Sequence, residues 1–129
     1  MPSKKNKPDK NSPFEATDKF LRRIPPLHLK GPGRISSAAF HNDADTNMMS
    51  VNWLKLSSIE HTLSGFEGWG VAAITAELCY SLEQEPMYSP TLDNIAHCDI
   101  FGHKTRRISR KFRDGAQYLL YPGNPIPLK

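Results

Sequence analysis

The sequence predicts an α+β fold with a small, mainly antiparallel sheet, two or three helices, and disordered N- and C-terminal tails. Three observations indicate this: short segments whose apolar residues alternate, longer segments with apolar residues at helical spacing, and two ends that are rich in proline and poor in apolar residues. Strands and helices do not follow the regular βαβ order of a doubly wound fold. The 129 residues therefore divide into a basic disordered arm (1–17), one α+β domain (18–121) and a proline-rich tail (122–129).

The first half of the domain is predicted to consist mostly of strands. Residues 19–24 suit a strand that ends at Pro25, because a proline disfavours helix in the residue before it. A turn with glycine and proline follows at 30–34, and a short strand is predicted at 34–40. Residues 49–54 alternate apolar and polar side chains, which is the clearest strand signal in the chain.

Two helices are predicted in the middle of the domain. Ser57 and Glu60 have the spacing of a capping box, which predicts a short helix. Apolar residues at i, i+3, i+7 and i+11 predict a second helix over 71–83. Residues 70–76 taken alone would also suit a buried strand, and that alternative stays open.

The last third of the domain is predicted as loop, strand and helix. The loop covers 87–94, the strand covers 97–101 and ends at Gly102, and the helix covers 105–120. One side of this helix is an apolar stripe of Ile108, Phe112, Ala116 and Leu119. Basic residues occupy most of the remaining surface.

The charges are sorted along the chain, although the formal net charge is only +4. Residues 1–40 hold nine Lys or Arg and three acids, 41–99 hold one Lys and nine acids, and 100–129 hold seven Lys or Arg and one acid. Two interpretations stay open. The basic ends either bind phosphate or another acidic partner, or they fold back on the acidic centre of the same chain.

The densest basic segment, 104–113, has six cations and no acid. A helix of this composition can lay several cations along a phosphate backbone. We therefore predict a small non-enzymatic binding or accessory module that contacts nucleic acid or an acidic protein partner through its basic arm and its basic C-terminal helix. The predicted binding residues are cations of this helix and of the first strand: Lys104, Arg106, Arg107, Arg110, Lys111, Arg113, Arg22 and Arg23.

An alternative function depends on His97, Asp99 and His103, the densest group with acid–base potential. On a strand His97 and Asp99 share one face, and His103 follows just after the strand ends. Imidazole titrates near neutral pH, so two histidines can divide the acid and base roles. This alternative is a small hydrolase or a nucleotide- or phosphodiester-processing enzyme with these three catalytic residues. A further alternative is a subunit of a larger bacterial assembly.

Several other classes of site find no support in the sequence. Residues 102–105 lack the glycines of a nucleotide-binding P-loop, and residues 43–54 lack the glycine and the final glutamate of a calcium-binding loop. No close Cys/His pair has the spacing of zinc ligands, so we expect no metal and no cofactor. Cys79 and Cys98 are expected to be reduced. No apolar run approaches the roughly 20 residues needed to cross a bilayer, and no signal peptide is recognisable, so we expect a cytoplasmic protein without membrane contact.

Four short motifs resemble a group of small uncharacterised bacterial proteins. They are LRRIP at 21–25, SSAAF at 36–40, MSV at 49–51, and His97 separated by four residues from Gly-His-Lys at 102–104. The similarity covers positions 20–112. The resemblance implies a bacterial, cytoplasmic origin, and it implies no activity, site or substrate.

Overall fold

The computed structural model describes residues 12–31, 34–121 and 124–125. These residues form nine strands: β1 (Lys19–Ile24), β2 (Leu29–Gly31), β3 (Arg34–Ile35), β4 (Met48–Trp53), β5 (Gly70–Thr75), β6 (Glu85–Tyr88), β7 (His97–Phe101), β8 (Gln117–Tyr121) and β9 (Asn124–Pro125). They also form three α-helices: α1 (Ile59–Leu63), α2 (Ala76–Ser81) and α3 (Arg106–Gly115). Single turns of 3-10 helix lie after β1, β3 and β4.

Seven of these strands form one antiparallel sheet in the order β6-β7-β4-β1-β5-β8-β9, while β2 and β3 pair separately. The central strand β1 pairs with β5 over six residues but with β4 at only two positions, Phe20–Trp53 and Leu21–Asn52. The predicted α+β fold with a mainly antiparallel sheet is confirmed. The strands predicted at 19–24 and 97–101 have the predicted bounds.

Two apolar clusters lie on opposite faces of this sheet. The larger contains Phe20 of β1 together with Phe112 of α3, and the smaller contains Leu21 of β1 together with Val71 of β5 and, packed against it, Ile59 of α1. Neighbouring residues of β1 and β5 alternate between the two clusters, as side chains of a strand must. Both central strands are therefore covered on both faces.

The helix predicted over 71–83 is wrong in its first half. Residues 70–75 are strand β5, and α2 begins only at Ala76, where the Thr75 hydroxyl accepts the N–H of Leu78. The buried-strand alternative is the observed structure. A strand covered on both faces has apolar residues at nearly every position, so its sequence also satisfies a helical spacing.

The helix predicted over 105–120 is too long. It ends at Gly115, and the chain then forms β8, which pairs with β5. Leu119, which the helical stripe would place beside Phe112, instead lies in the smaller cluster on the other face of the sheet. Asp114-Gly115 is a local signal for this ending, and the residues after it pair with β5 as a strand.

Three smaller differences concern the ends of elements. The strand predicted at 34–40 is only the two residues of β3, after which Ser36 caps a 3-10 turn. The loop predicted at 87–94 contributes its first two residues to β6. The residue that caps α1 is Ser58, which accepts the N–H of His61, rather than Ser57.

The core includes Phe14, which lies within the predicted arm of residues 1–17. Phe14 is only 3% exposed, and its ring lies edge-on to Phe20 and Trp53 at centroid distances of 5.0 and 4.8 Å. The rest of the predicted arm, residues 1–11, lies outside the described residues. So does most of the predicted tail, apart from the two residues of β9 that pair with β8.

Two findings concern the thiols and the membrane. Cys79 and Cys98 are buried free cysteines, and burial raises the pKa of both thiols above the ordinary value. Within the ranges given above, no helix has the length and apolar character needed to cross a bilayer.

Candidate functional site

Helix α3 is held against the larger cluster through one narrow side. Phe112 is fully buried and its ring stacks on Phe40 at a centroid distance of 6.1 Å. The buried Ser109 hydroxyl donates to the Phe40 carbonyl. At the start of the helix, Thr105 accepts the N–H of Ile108. These contacts determine which side of α3 faces solvent.

Four cations occupy that solvent side, and we call them the basic face of α3: Arg106, Arg107, Arg110 and Lys111. With 3.6 residues per turn they span an arc of about 140°, opposite the buried Ser109 and Phe112. In the part of the chain that the structure describes, no carboxylate lies within 4.0 Å of their side-chain nitrogens. The acidic centre of the chain, as far as it is described, does not neutralise this face.

The local electrostatics of the basic face oppose folding. Arg106 and Arg107 lie in the first turn of α3, which contains no acid, and the partial positive charge at a helix N-terminus disfavours cations there. Arg106 with Arg110, and Arg107 with Lys111, form like-charge pairs at i,i+4, each destabilising by about 0.2–0.5 kcal/mol. An external anion on this face would remove both penalties.

The other four predicted binding cations are engaged within the protein. Lys104 donates to two backbone carbonyls at 3.0 Å, and burial lowers its pKa to about 8. Arg113 pairs with Asp114 at 3.0 Å. Arg22 and Arg23 line a cleft on the sheet. These four side chains are therefore less available to a polyanion than the basic face is.

The cleft opens where β1 and β4 diverge, and it encloses about 330 Å³. The last registered pair between the two strands is Leu21–Asn52. Beyond it, the Ser50 carbonyl accepts a hydrogen bond from Arg22 Nη1 at 2.8 Å, in place of a backbone donor of β1. A guanidinium thus fills the gap between two separating strands.

Arg22 donates three hydrogen bonds to backbone carbonyls. Besides Ser50, it donates from Nε to the Ala39 carbonyl at 3.1 Å and from Nη2 to the His41 carbonyl at 3.3 Å. Desolvation lowers the pKa of Arg22 to about 10, although the charge of Asp43 acts in the opposite direction. Asp43 is the one carboxylate among the described residues that line the cleft, and it accepts from the Ser50 hydroxyl at 2.8 Å.

Arg23 forms another part of the cleft wall, from the opposite side of β1. Its Nη1 donates to the Thr62 carbonyl at 3.0 Å, and its guanidinium carbon lies 4.0 Å from the centroid of the Phe66 ring. Phe66 in turn lies edge-on to Trp69 at 4.9 Å. Burial lowers the pKa of Arg23 as well. The cleft therefore combines two guanidinium groups with an aromatic wall.

The structure brings His97 and Asp99 together but leaves His103 apart. His97 Nε2 lies 3.3 Å from Asp99 Oδ1, and the Ser89 hydroxyl donates to Asp99 Oδ2 at 2.7 Å. His97 lines the cleft, whereas His103 is exposed and follows Gly102. At about 3.3 Å per residue, the length of β7 alone separates the two by about 13 Å. The two imidazoles do not share the cleft.

Sequence reasoning missed the residues that shape the cleft around the two arginines. They come from separate loops and from β4: His41, Asp43, Ser50, Phe66 and Trp69. No spacing in the sequence connects them, because the cleft is produced by the divergence of two strands that are far apart along the chain. The local signal was the pair of adjacent arginines within a predicted strand.

The described residues contain no group of three or more His, Cys, Asp or Glu side chains that could hold a metal ion. In the loop that begins near Asp43, the Asp43 carboxylate accepts a hydrogen bond from the Ser50 hydroxyl, and the Asp43 backbone carbonyl accepts one from the Thr46 N–H. Comparison with protein-family models, with curated proteins and with solved structures gave no match. Function therefore has to be inferred from the basic face of α3 and from the cleft.

Proposed function

We propose that the protein is a binding or accessory module that contacts nucleic acid through the basic face of α3. The observation that supports this is the set of four exposed cations without a described counter-charge. Cations that neutralise phosphates release condensed counterions, and this release supplies most of the affinity for nucleic acid that does not depend on base sequence. Arginine adds bidentate hydrogen bonding to phosphate oxygens.

The spacing of the basic face suits a phosphate backbone. Its two pairs of cations, Arg106 with Arg107 and Arg110 with Lys111, are four residues apart, which is about 6 Å along the helix axis. Phosphates of one strand advance by about 3.4 Å along the duplex axis. The two pairs can therefore contact phosphates that lie about two nucleotides apart on one strand. Contacts to phosphate position a protein on nucleic acid without reading the bases, so we expect little sequence preference.

The test is a titration of labelled single- and double-stranded DNA across a salt series. Four neutralised phosphates give a logarithmic salt slope of about −3.6 on duplex, so affinity falls about 150-fold between 50 and 200 mM salt. On a single strand the slope is about −2.8 and the fall is about 50-fold. The variant Arg106→Ser/Arg107→Ser/Arg110→Ser/Lys111→Ser should lose this part of the slope.

The matched control removes a cation elsewhere. Lys55 is exposed and lies after β4, so Lys55→Ser should leave the slope nearly unchanged, while each single Ser substitution on α3 should reduce it by about 0.9. An unchanged slope in the quadruple variant would refute the proposal. A polyglutamate peptide that binds more tightly than DNA at equal salt would assign the basic face to an acidic protein instead.

The proposal fits the cytoplasmic, bacterial origin expected from the sequence. Nucleic acid is abundant in that compartment, and its reducing conditions keep thiols free. The two buried cysteines, Cys79 and Cys98, are free thiols and need no disulfide to complete the core.

A further inference from the structure

We propose that the cleft between β1 and β4 binds a phosphate monoester attached to a small apolar or aromatic group, held by Arg22 and Arg23. This site is separate from the basic face of α3 and does not depend on nucleic-acid binding there. Its chemistry follows from the unused donors of the two arginines, the balance of charge in the cleft, and the aromatic wall.

Arg22 has donors left over. A guanidinium has five N–H groups. Arg22 donates three hydrogen bonds, all to backbone carbonyls, so two N–H groups have no partner among the described residues. The three carbonyls are neutral, so they orient the guanidinium without neutralising its charge. Asp43 is the one carboxylate among the described residues of the cleft, which also holds a second guanidinium, Arg23. Because a buried charge that lacks compensation is costly, an anion in the cleft would balance the remaining positive charge.

Arg23 has more free donors, and its orientation is fixed. Only Nη1 is bonded in the described structure, to the Thr62 carbonyl. Its guanidinium carbon lies over the Phe66 ring, 4.0 Å from the centroid, while the N–H groups project from the edge of the guanidinium plane. The ring therefore holds the arginine in place and leaves its donors free.

The charges favour a doubly charged oxyanion. Two guanidinium groups and one carboxylate, that of Asp43, line the cleft, and one oxygen of that carboxylate is already bonded to Ser50. A phosphate monoester carries a charge of about −1.5 to −2 and three acceptor oxygens at neutral pH. A carboxylate carries half of that charge on two oxygens, so it should bind more weakly.

The apolar part of the ligand would lie against Trp69 and Phe66. Both side chains are half-buried and line the cleft with Leu21, Pro25 and Val51. A cleft of about 330 Å³ is near the lower end of the range for small-molecule sites. That volume suits a compact organophosphate.

The experiment titrates the full chain with phenyl phosphate and follows the two tryptophan indole N–H signals by NMR. Trp69 lines the cleft and Trp53 lies in the core beside Phe14, and Trp69→Phe assigns the two signals. We expect saturable binding with a Kd of about 1 mM or tighter for this ligand of 11 non-hydrogen atoms. The chemical shift of the Trp69 indole N–H should change during the titration, and that of Trp53 should not. Benzoate and inorganic phosphate should each bind more weakly.

Arg22 supports three backbone carbonyls, so its replacement risks the fold, and Arg23→Gln is the decisive variant. It should keep the native spectrum and weaken phenyl phosphate by about 10-fold or more, because it removes charge-assisted hydrogen bonds. Lys55→Ser and the quadruple Ser variant of α3 should bind phenyl phosphate as the unchanged protein does.

Three results would overturn the proposal: no saturable binding up to about ten times the expected Kd, equal affinity in Arg23→Gln, or loss of binding in the α3 variant alone. A trinucleotide with a 5′ phosphate, compared with its unphosphorylated form, separates two sources of the same group. If only the phosphorylated trinucleotide binds the cleft, and binds it more tightly than phenyl phosphate, the ligand of the cleft is the 5′ end of a nucleic-acid strand. If phenyl phosphate binds better, the cleft takes a small molecule.

Discussion

Reversing the charge of the first turn of α3 should make the protein more stable and a worse ligand for nucleic acid. The variant is Arg106→Glu/Arg107→Glu. Both side chains are exposed and have no carboxylate partner among the described residues, so their replacement breaks no ion pair within the described part of the fold. The two effects have opposite signs because folding and binding make opposite demands on this turn.

The gain in stability has two sources. Replacing a cation by an acid at a helix N-terminus is worth about 0.5 kcal/mol per site at an exposed position. The same change converts the two like-charge pairs, with Arg110 and Lys111, into favourable Glu-to-cation pairs at i,i+4, worth about 0.5 kcal/mol for each pair. The total is about 2 kcal/mol at low salt, which corresponds to a rise in Tm of roughly 8 °C for a domain of this size.

The assay combines thermal and urea unfolding at low and high salt with DNA binding by fluorescence anisotropy. The stability gain should shrink as salt screens it, and the salt slope of duplex binding should fall by about 1.8 or more. The neutral variant Arg106→Gln/Arg107→Gln should lie between the two proteins in both measurements. A loss of stability in the Glu variant would show that the arginines are structural, and unchanged binding would remove the basic face from the interface.

Three further predictions concern the fold. Phe14→Ala should cost about 3–5 kcal/mol of unfolding free energy in urea, because the buried ring fills the space between Phe20 and Trp53; a cost below about 1 kcal/mol would mean that the segment detaches without disturbing the core. Gly70→Ala should destabilise by about 1–3 kcal/mol in the same assay, since a Cβ there would lie 2.9 Å from the Leu120 carbonyl oxygen, whereas a gain would show that β5 and β8 can separate freely. Burial raises the pKa of Cys98 to about 12 and raises that of Cys79 as well, so both thiols stay protonated in the folded protein at pH values at which they ionise in the unfolded chain. Their contribution to the free energy of unfolding is therefore complete below the pKa that the thiols have in the unfolded chain, and it is lost as the pH rises above that value. Relative to Cys79→Ala/Cys98→Ala, the unchanged protein should lose about 1.4–2 kcal/mol per thiol by pH 10, and parallel pH profiles for the two proteins would contradict this.

Three of the nine described strands, β1, β4 and β7, could be predicted because their signals are local. The C-terminal ends of β1 and β7 follow from Pro25 and Gly102, which interrupt the chain immediately after these short segments. The alternation in 49–54 likewise located β4, within one residue at each end. In each case the physical cause, a breaker or a half-buried face, lies within the segment itself.

The errors occurred where the cause lies elsewhere in the chain. The run from Gly70 to Thr75 is a strand because β1 and β8 pair with it on both sides, and nothing within the run distinguishes it from a buried helix. The same pairing makes 117–121 the strand β8. Long-range pairing outweighed local propensity at both places.

The sequence by itself determined that the chain forms an α+β fold with a basic helix near its end, because periodicity and charge are properties of neighbouring residues. Only the tertiary structure decided which cations are free. It placed Arg106 and Arg110 in solvent, and it turned Arg22 and Lys104 onto backbone carbonyls. The cleft also depends on tertiary structure alone, since it exists only where β1 and β4 diverge. Whether a charge is satisfied depends on what lies around it in space, and no pattern along the chain records that.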